Sequence, residues 1–400
     1  MSDTTMVALL AAAMLLRLGQ GLYGAGVVRS KNAAAEVMRA ICDLAIAALA
    51  FWAIGGAILM QQHNGLFAID LQQLVGRGHE DHLLLYLVLI LLGTGAFSAA
   101  VAERARFVVT CAASLLLAGV IMAIAGKWVW NGGWLADMGF VDRAGATVLH
   151  VSVGAAALVA AMLVGPRAGK YNRDRSANFI PGHSLVLKQI GVIMMLIGFV
   201  PYVTAATWRH IGHSASDTAM NVLLAAAAGA AVSLLIGRAR YGKPDILLTC
   251  SGLIGGAVAM TAGAGTVSSL SAVIIGGVAG ALVPAAVIFI DLRLRIDDAG
   301  SIAAMHGVGG AWGALAAAIF APLPWSERFQ LIGVQLLGVI TIGVMSLIII
   351  GGAMALLRAT IGIRATEADE FDGLDLAEHD VNAYPDFQQT TIKSYHLREA

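Results

Sequence analysis

Charge is scarce in this chain of 400 residues: 25 basic and 25 acidic side chains make up 12% of it and cancel to zero net charge. A soluble domain carries about twice that charged fraction. With 58% hydrophobic residues and 47 glycines besides, too little polar material remains to face water on all sides. A soluble enzyme and a disordered regulator are excluded. The missing basic excess excludes a nucleic-acid partner. Cysteine is nearly absent as well. Cys42, Cys111 and Cys250 all lie in apolar runs, which is neither a disulfide framework nor a zinc site. What remains is a polytopic membrane protein.

A membrane-spanning helix needs about 20 mainly apolar residues. Such runs fall near 6–28, 36–60, 83–101, 107–126, 144–165, 187–206, 218–237, 246–263, 267–290, 302–321 and 330–357. They lack the alternation of a membrane barrel and are rich in Ala, Leu and Gly, so the predicted fold class is all-α, with eleven transmembrane helices. The segment before the first run carries Asp3 and no base, while Arg29 and Lys31 follow it. The run therefore reads as an anchoring helix rather than a cleaved leader.

Loop charge gives the orientation. One set of loops holds Arg29/Lys31, Arg104/Arg106, Arg167/Lys170/Arg173/Arg175, Arg238/Arg240/Lys243, Arg293/Arg295 and Arg358/Arg364. The alternate set holds only Arg77, Lys127, Arg143, Arg209 and Arg328. The positive-inside rule then predicts an outer N-terminus and a cytoplasmic C-terminus. The expected division is a membrane domain over 1–360 and a cytoplasmic tail over 361–400. From Thr366 the chain turns acidic, and Thr391 to Ala400 reads as the start of a helix. A stop at that point is compatible with a tail that links to an effector domain in a longer natural protein.

Ionisable groups at bilayer depth are costly and mark function. His150 lies about six residues into the fifth helix and His306 a few residues into the tenth, each the only histidine of its helix. A lone histidine is readily satisfied by a neighbouring carbonyl. Two in similar settings five helices apart point instead to an inverted repeat, whose site lies where the halves meet. Gly307, Gly309, Gly310 and Gly313 permit close helix contact there. Two imidazoles in an apolar channel can share a hydrogen bond and pass a proton, or hold a small polar solute. With no carboxylate or Cys cluster beside them, neither a metal nor a cofactor is expected.

Upstream stand Trp128, Trp130, Trp134 and Asp142. Asp142 precedes His150 by eight residues, about 12 Å along a helix, which places it at the outer mouth. A carboxylate beside aromatic rings suits a small cation. The alternatives are an aromatic interfacial belt and a helix-capping aspartate.

At this point the sequence resembles the ammonium transporter (Amt/Mep/Rh) family over nearly its whole length. Tyr23-Gly-Ala-Gly-Val-Val-Arg29-Ser-Lys31-Asn32, Ala102-Glu103-Arg104 and Asp142-x-Ala-Gly-x-Thr-Val-x-His150 are similar to family motifs. So are Asp297-Asp298 with His306-Gly-Val-Gly-Gly, and Gly373-Leu-Asp-Leu-x-Glu-His379 with Ala383-Tyr384. The resemblance implies two inverted five-helix halves plus a peripheral eleventh helix, assembled in the bilayer as a homotrimer. It implies that His150 and His306 are the pore pair, and that Asp142 and Trp130 belong to an outer ammonium site.

The same alignment carries departures. Leu85, Leu89 and Tyr202 stand where the family places its gating phenylalanines, and Ala206 replaces a serine at the mouth. Tyr202 and Ala206 thus complete the expected outer site. Arg17, inside the first helix, is expected to snorkel or to pair with Asp43. The resemblance implies passage of ammonium or ammonia, with a PII-type regulator or a fused signalling domain as cytoplasmic partner. The alternative expectation is an ammonium sensor with little or no flux. A haem enzyme using the two histidines as ligands stands as a remote third.

Overall fold

The computed structural model describes residues 2–61, 80–174, 176–208 and 214–385. Arg77, Arg175, Arg209 and the stretch 391–400 lie outside them. Nine segments are long and apolar enough to cross a membrane: α1 Asp3–Val27, α2 Ser30–Leu59, α3 His82–Val101, α4 Phe107–Asp137, α5 Ala146–Val164, α6 Leu185–Thr207, α7 Ala215–Tyr241, α9 Ser269–Leu294 and α11 Trp325–Thr360. Two shorter apolar helices, α8 Ile246–Met260 and α10 Ala303–Ile319, complete eleven among the described residues. Outside the helices, pairing there is limited to the bridges Ala105–Arg364 and Tyr171–Ala177.

Helix is the only open form that satisfies its own backbone in lipid, and polar caps mark where several helices begin. Ser184 accepts from Leu187 N (3.1 Å) ahead of α6, and Asp245 from Leu248 N (2.8 Å) ahead of α8. Two boundaries differ from the hydropathy reading. α4 continues past its apolar run through Trp128 and Trp130, because backbone bonding does not stop at the bilayer edge. α8 stops at Met260, where the carbonyls of Thr261 and Ala262 turn to accept from Ala144 N (2.9 Å) and Arg143 N (3.2 Å).

Glycine sets the contact between the two halves. A Cβ on Gly198 of α6 would lie 2.1 Å from Leu16 N of α1, and one on Gly154 of α5 would lie 2.2 Å from Gly307 N of α10. The first and last helices of each half thus cross backbone against backbone, which only small residues allow. α11 braces the assembly. Its Gln335 donates to Ala314 O of α10 (2.9 Å) and to Val141 O (2.7 Å), and Ser346 donates to Ser152 O of α5 (2.7 Å).

Arg17 is buried in α1 and paired with Asp43 of α2, the second of the two outcomes expected. Asp43 also accepts from Thr94 Oγ1 (2.9 Å) and Ser114 Oγ (2.5 Å). Three partners on one carboxylate, one of them a cation, make the group tolerable at bilayer depth.

Several loops assigned to the cytoplasmic side meet at one end. There Arg29 Nε holds Glu103 at 2.7 Å, and Arg167 makes a two-pronged pair with Asp297 (2.8 and 2.9 Å). Burial opposes the charge on Asp297, yet Arg167 and Arg104 hold its carboxyl well below the ordinary range. The tail segment closes over this end through the short helices α12 Glu367–Asp372 and α13 Leu374–His379. Asp375 accepts from Ala34 N (3.2 Å) and Ala35 N (2.7 Å), the unpaired donors at the start of α2. Glu378 accepts from Phe107 N (2.7 Å) and Arg39 (2.5 Å), and the Tyr384 hydroxyl meets His183 Nε2 at 2.8 Å.

Candidate functional site

Both buried histidines sit in a widened, π-helical first turn: Ala146–Val151 holds His150, and Ala303–Val308 holds His306. Each turn follows an aspartate eight residues ahead of the histidine. Asp142 caps the first completely, its Oδ1 accepting from Gly145 N (2.8 Å) and Ala146 N (2.7 Å), and its Oδ2 from Thr147 N (2.8 Å) and Val148 N (3.0 Å). Asp298 Oδ2 accepts from Ala303 N at 2.7 Å.

The surroundings repeat as well. The Tyr202 hydroxyl donates to Ala144 O, two residues past Asp142. The Tyr23 hydroxyl donates to Gly300 O (2.9 Å), two residues past Asp298. This duplication, on helices that run in opposite senses, is the inverted repeat seen residue by residue.

The two halves bring His150 and His306 together. Their Nδ1 atoms are 3.0 Å apart and the ring centroids 5.0 Å, with 30° between the planes. Both rings are buried, at 2% and 3% exposure. At this distance one Nδ1 donates and the other accepts, so at least one ring is unprotonated at that nitrogen. His150 Nε2 has no hydrogen-bond partner, which leaves it open to a mobile solute. Phe199, 5.9 Å from His150 between ring centroids, and Tyr202, edge-on at 6.4 Å, wall the pair on one side.

At the end of the bundle where α5 begins lies a cavity of ≈350 Å³. Leu85, Leu89, Trp130, Asp142 and Ala206 line it, as do Tyr86, Phe140 and Arg143. Of the residues expected at the mouth, Tyr202 is not part of this lining and stands a layer deeper, between Ala144 and His150. Trp130 stacks on Tyr86 (5.8 Å, 14°), and its Nε1 donates to Asp142 O at 2.7 Å. Trp128 and Trp134 instead pack edge-on against each other at 5.8 Å.

The Asp142 carboxylate is thus the helix cap, and the residue also lies in the cavity wall. Burial pushes its carboxyl up to about 6, although four backbone N–H groups oppose the shift. Burial also lowers Arg143, a second charge at this mouth.

Sequence reading did not assign Tyr86, Phe140 or Phe199 to the site, because a lone aromatic ring in an apolar helix or a loop carries no distinguishing pattern. Asp298 did carry a signal: its spacing to His306 equals that of Asp142 to His150. Among the described residues no group of three or more His, Cys, Asp or Glu is placed to hold a metal ion.

These features define a class: a multi-pass helical membrane protein of two inverted halves, with facing histidines buried below an aromatic-lined mouth. Comparison with known proteins carries this further. The Ammonium Transporter Family model matches residues 4–384. The chain is 34% identical to the Ammonium transporter Amt2 of Archaeoglobus fulgidus over 94% of its own length and 86% of that protein's. It is 29% identical to the Ammonium transporter of Bacillus subtilis, covering 93% and 95%. Among solved structures, one titled Sensor Amt Protein is 30% identical with a TM-score of 0.89, covering 94% of this chain and 98% of that one. Mep2 of Candida albicans has the same fold, with a TM-score of 0.82 at 24% identity over 99% and 95%. The chain belongs to the ammonium transporter family.

Proposed function

We propose that this protein carries ammonium across the cytoplasmic membrane, capturing the cation at the Trp130 mouth and passing ammonia and a proton separately by way of His150 and His306. The observation that supports this most directly is the 3.0 Å contact between the two Nδ1 atoms. A relay needs two rings that exchange one hydrogen, and an apolar surround denies passage to a hydrated ion. In this reading Trp130 and Ala206, with Asp142 behind them, form the outer site. Leu85 and Leu89, backed by Tyr202, replace a gate of stacked rings.

Residues 1–360 are the transport domain and 361–400 the tail, with the N-terminus outside and the tail in the cytoplasm. The working unit is a homotrimer. Its cytoplasmic partner is either a PII-type regulator or a signalling domain joined through the tail.

The test is the current evoked by ammonium on a supported membrane carrying the reconstituted protein. Wild type should give a saturable current that His150→Ala combined with His306→Ala abolishes. No wild-type current above empty liposomes sinks the reading. A sensor is the second reading, supported by the likeness to the structure titled Sensor Amt Protein and by aliphatic Leu85 and Leu89 at the mouth. Saturable ammonium binding without current would select it.

A further inference from the structure

The opposite end of the path holds a second cavity, of ≈270 Å³. Its wall carries three cations, Arg167, Lys170 and Lys188, and four carboxylates, Asp245, Asp291, Asp297 and Asp298. Two pairs are closed: Arg167 with Asp297 at 2.8 Å and Lys170 with Asp291 at 2.9 Å. Asp245 and Asp298 are engaged by backbone N–H groups at the starts of α8 and α10. Asp298 Oδ1 is buried with no hydrogen-bond partner. Lys188 is the lining cation that, among the described residues, enters no ion pair.

Lys188 lies in the first turns of α6 and is 7% exposed. Its Nζ stands 4.9 Å from the centroid of the Tyr23 ring, whose hydroxyl is fixed on Gly300 O. Asp245 is the carboxylate whose charge reaches it. An ammonium group over an aromatic face, in a chamber where Asp245 and Asp298 enter no ion pair among the described residues, is held as a free cation would be held. The displacement along the chain that carries Tyr23 onto Tyr202 carries Leu9 onto Lys188. The two halves therefore differ here, and the cation belongs to one end of the path only.

We infer that this cavity is a binding site for a small protonated amine, ammonium or methylammonium, which the chain fills with the ammonium group of its own Lys188. The Tyr23 face supplies the cation–π platform, and Asp245 supplies the negative field. A guest enters only as the lysine withdraws, so the side chain is a tethered occupant that sets the occupancy of this end. The choice of an amine as guest rests on the ammonium reading above, while the charge balance asks for a small monovalent cation.

Equilibrium binding of methylammonium to the purified full chain, counted per subunit at pH 7, tests the inference. Lys188→Met should bind one methylammonium more than wild type or Lys188→Arg. Adding Tyr23→Leu should weaken that extra site tenfold or more. Lys188→Gln gives the same count if the methionine variant does not fold. Equal stoichiometry in wild type and Lys188→Met overturns the inference, as does an extra site that takes potassium as tightly as methylammonium. The count does not depend on flux. A chain that shows the extra site but never an ammonium current rejects transport and keeps the inner site.

Discussion

Asp142 and Asp298 stand in the same relation to the two buried histidines, each capping a helix start eight residues ahead of its imidazole. They differ in what they face. Asp142 lines the Trp130 cavity with its carboxyl raised to about 6 by burial, so it is charged above that pH and neutral below it. A charge this close, at an effective dielectric of about 20, is worth on the order of 1–2 kcal/mol to a cation. Methylammonium, protonated throughout, should therefore bind roughly tenfold more weakly at pH 5 than at pH 7.5. Asp142→Asn, which keeps an acceptor for the cap, should flatten the profile. A pH-independent affinity in wild type would remove the carboxylate from the outer site.

Gly154 controls the histidine contact without touching either ring. Its missing Cβ allows α10 to come within 2.2 Å of that position at Gly307 N, beside His306. Gly154→Ala should cost about 1–3 kcal/mol through overpacking. It should also lower ammonium current by about 10²-fold, the usual scale for a displacement near 1 Å at a reacting pair. Thermal stability and current, measured together, separate the two effects. Normal current in a folded Gly154→Ala variant would mean that the relay tolerates a wider gap.

The Arg17–Asp43 pair is predicted to be structural. Removing one partner of a buried pair costs about 3–5 kcal/mol, because the other is left uncompensated. Arg17→Met should therefore lower the melting temperature strongly, and Arg17→Met with Asp43→Leu should recover part of the loss. A double variant that melts below the single one would assign Asp43 a further role through Thr94 and Ser114.

At the opposite end, Asp297 supplies a pH signature of the loop clamp. Its carboxyl is depressed in the folded protein by Arg167 and Arg104, against the effect of burial. A depressed acid contributes stability that is complete above its unfolded value, about 3.9, and is lost as pH falls through the folded value. Asp297→Asn should cost about 3 kcal/mol at pH 7. The gap to wild type should narrow only below about pH 4. A gap that closes by pH 6 would contradict the clamp.

Much of this was legible from residue pattern. The eleven apolar runs match eleven apolar helices among the described residues, and the two isolated histidines five helices apart face each other. Arg17 and Asp43 were each other's most economical solution to burial, and they meet. Asp142 showed how far pattern reaches: both readings, cap and cation site, were visible, and the fold gives the carboxylate oxygens to the backbone while placing the residue in the cavity wall. Tyr202 shows the limit. The family resemblance put it at the mouth, but its hydroxyl must find a carbonyl, and Ala144 offers one a layer deeper. Leu85 and Ala206 reach the same cavity from different helices, a meeting that no local periodicity encodes. The tail is the plainest case. Asp375 and Glu378 lie in the acidic stretch expected as a tail, and both satisfy backbone donors more than 250 residues away in sequence.

The last long helix bears on how movement through the protein takes place. Thirty-six residues extend for about 54 Å, against about 30 Å of hydrocarbon, and the helix bonds to α5 of one half and α10 of the other. Tied across both and crossed by close contact at Gly154 and Gly198, the two halves pack backbone against backbone. With the halves held together in this way, flux is expected to follow occupancy of the path rather than the frequency of a rocking motion between them.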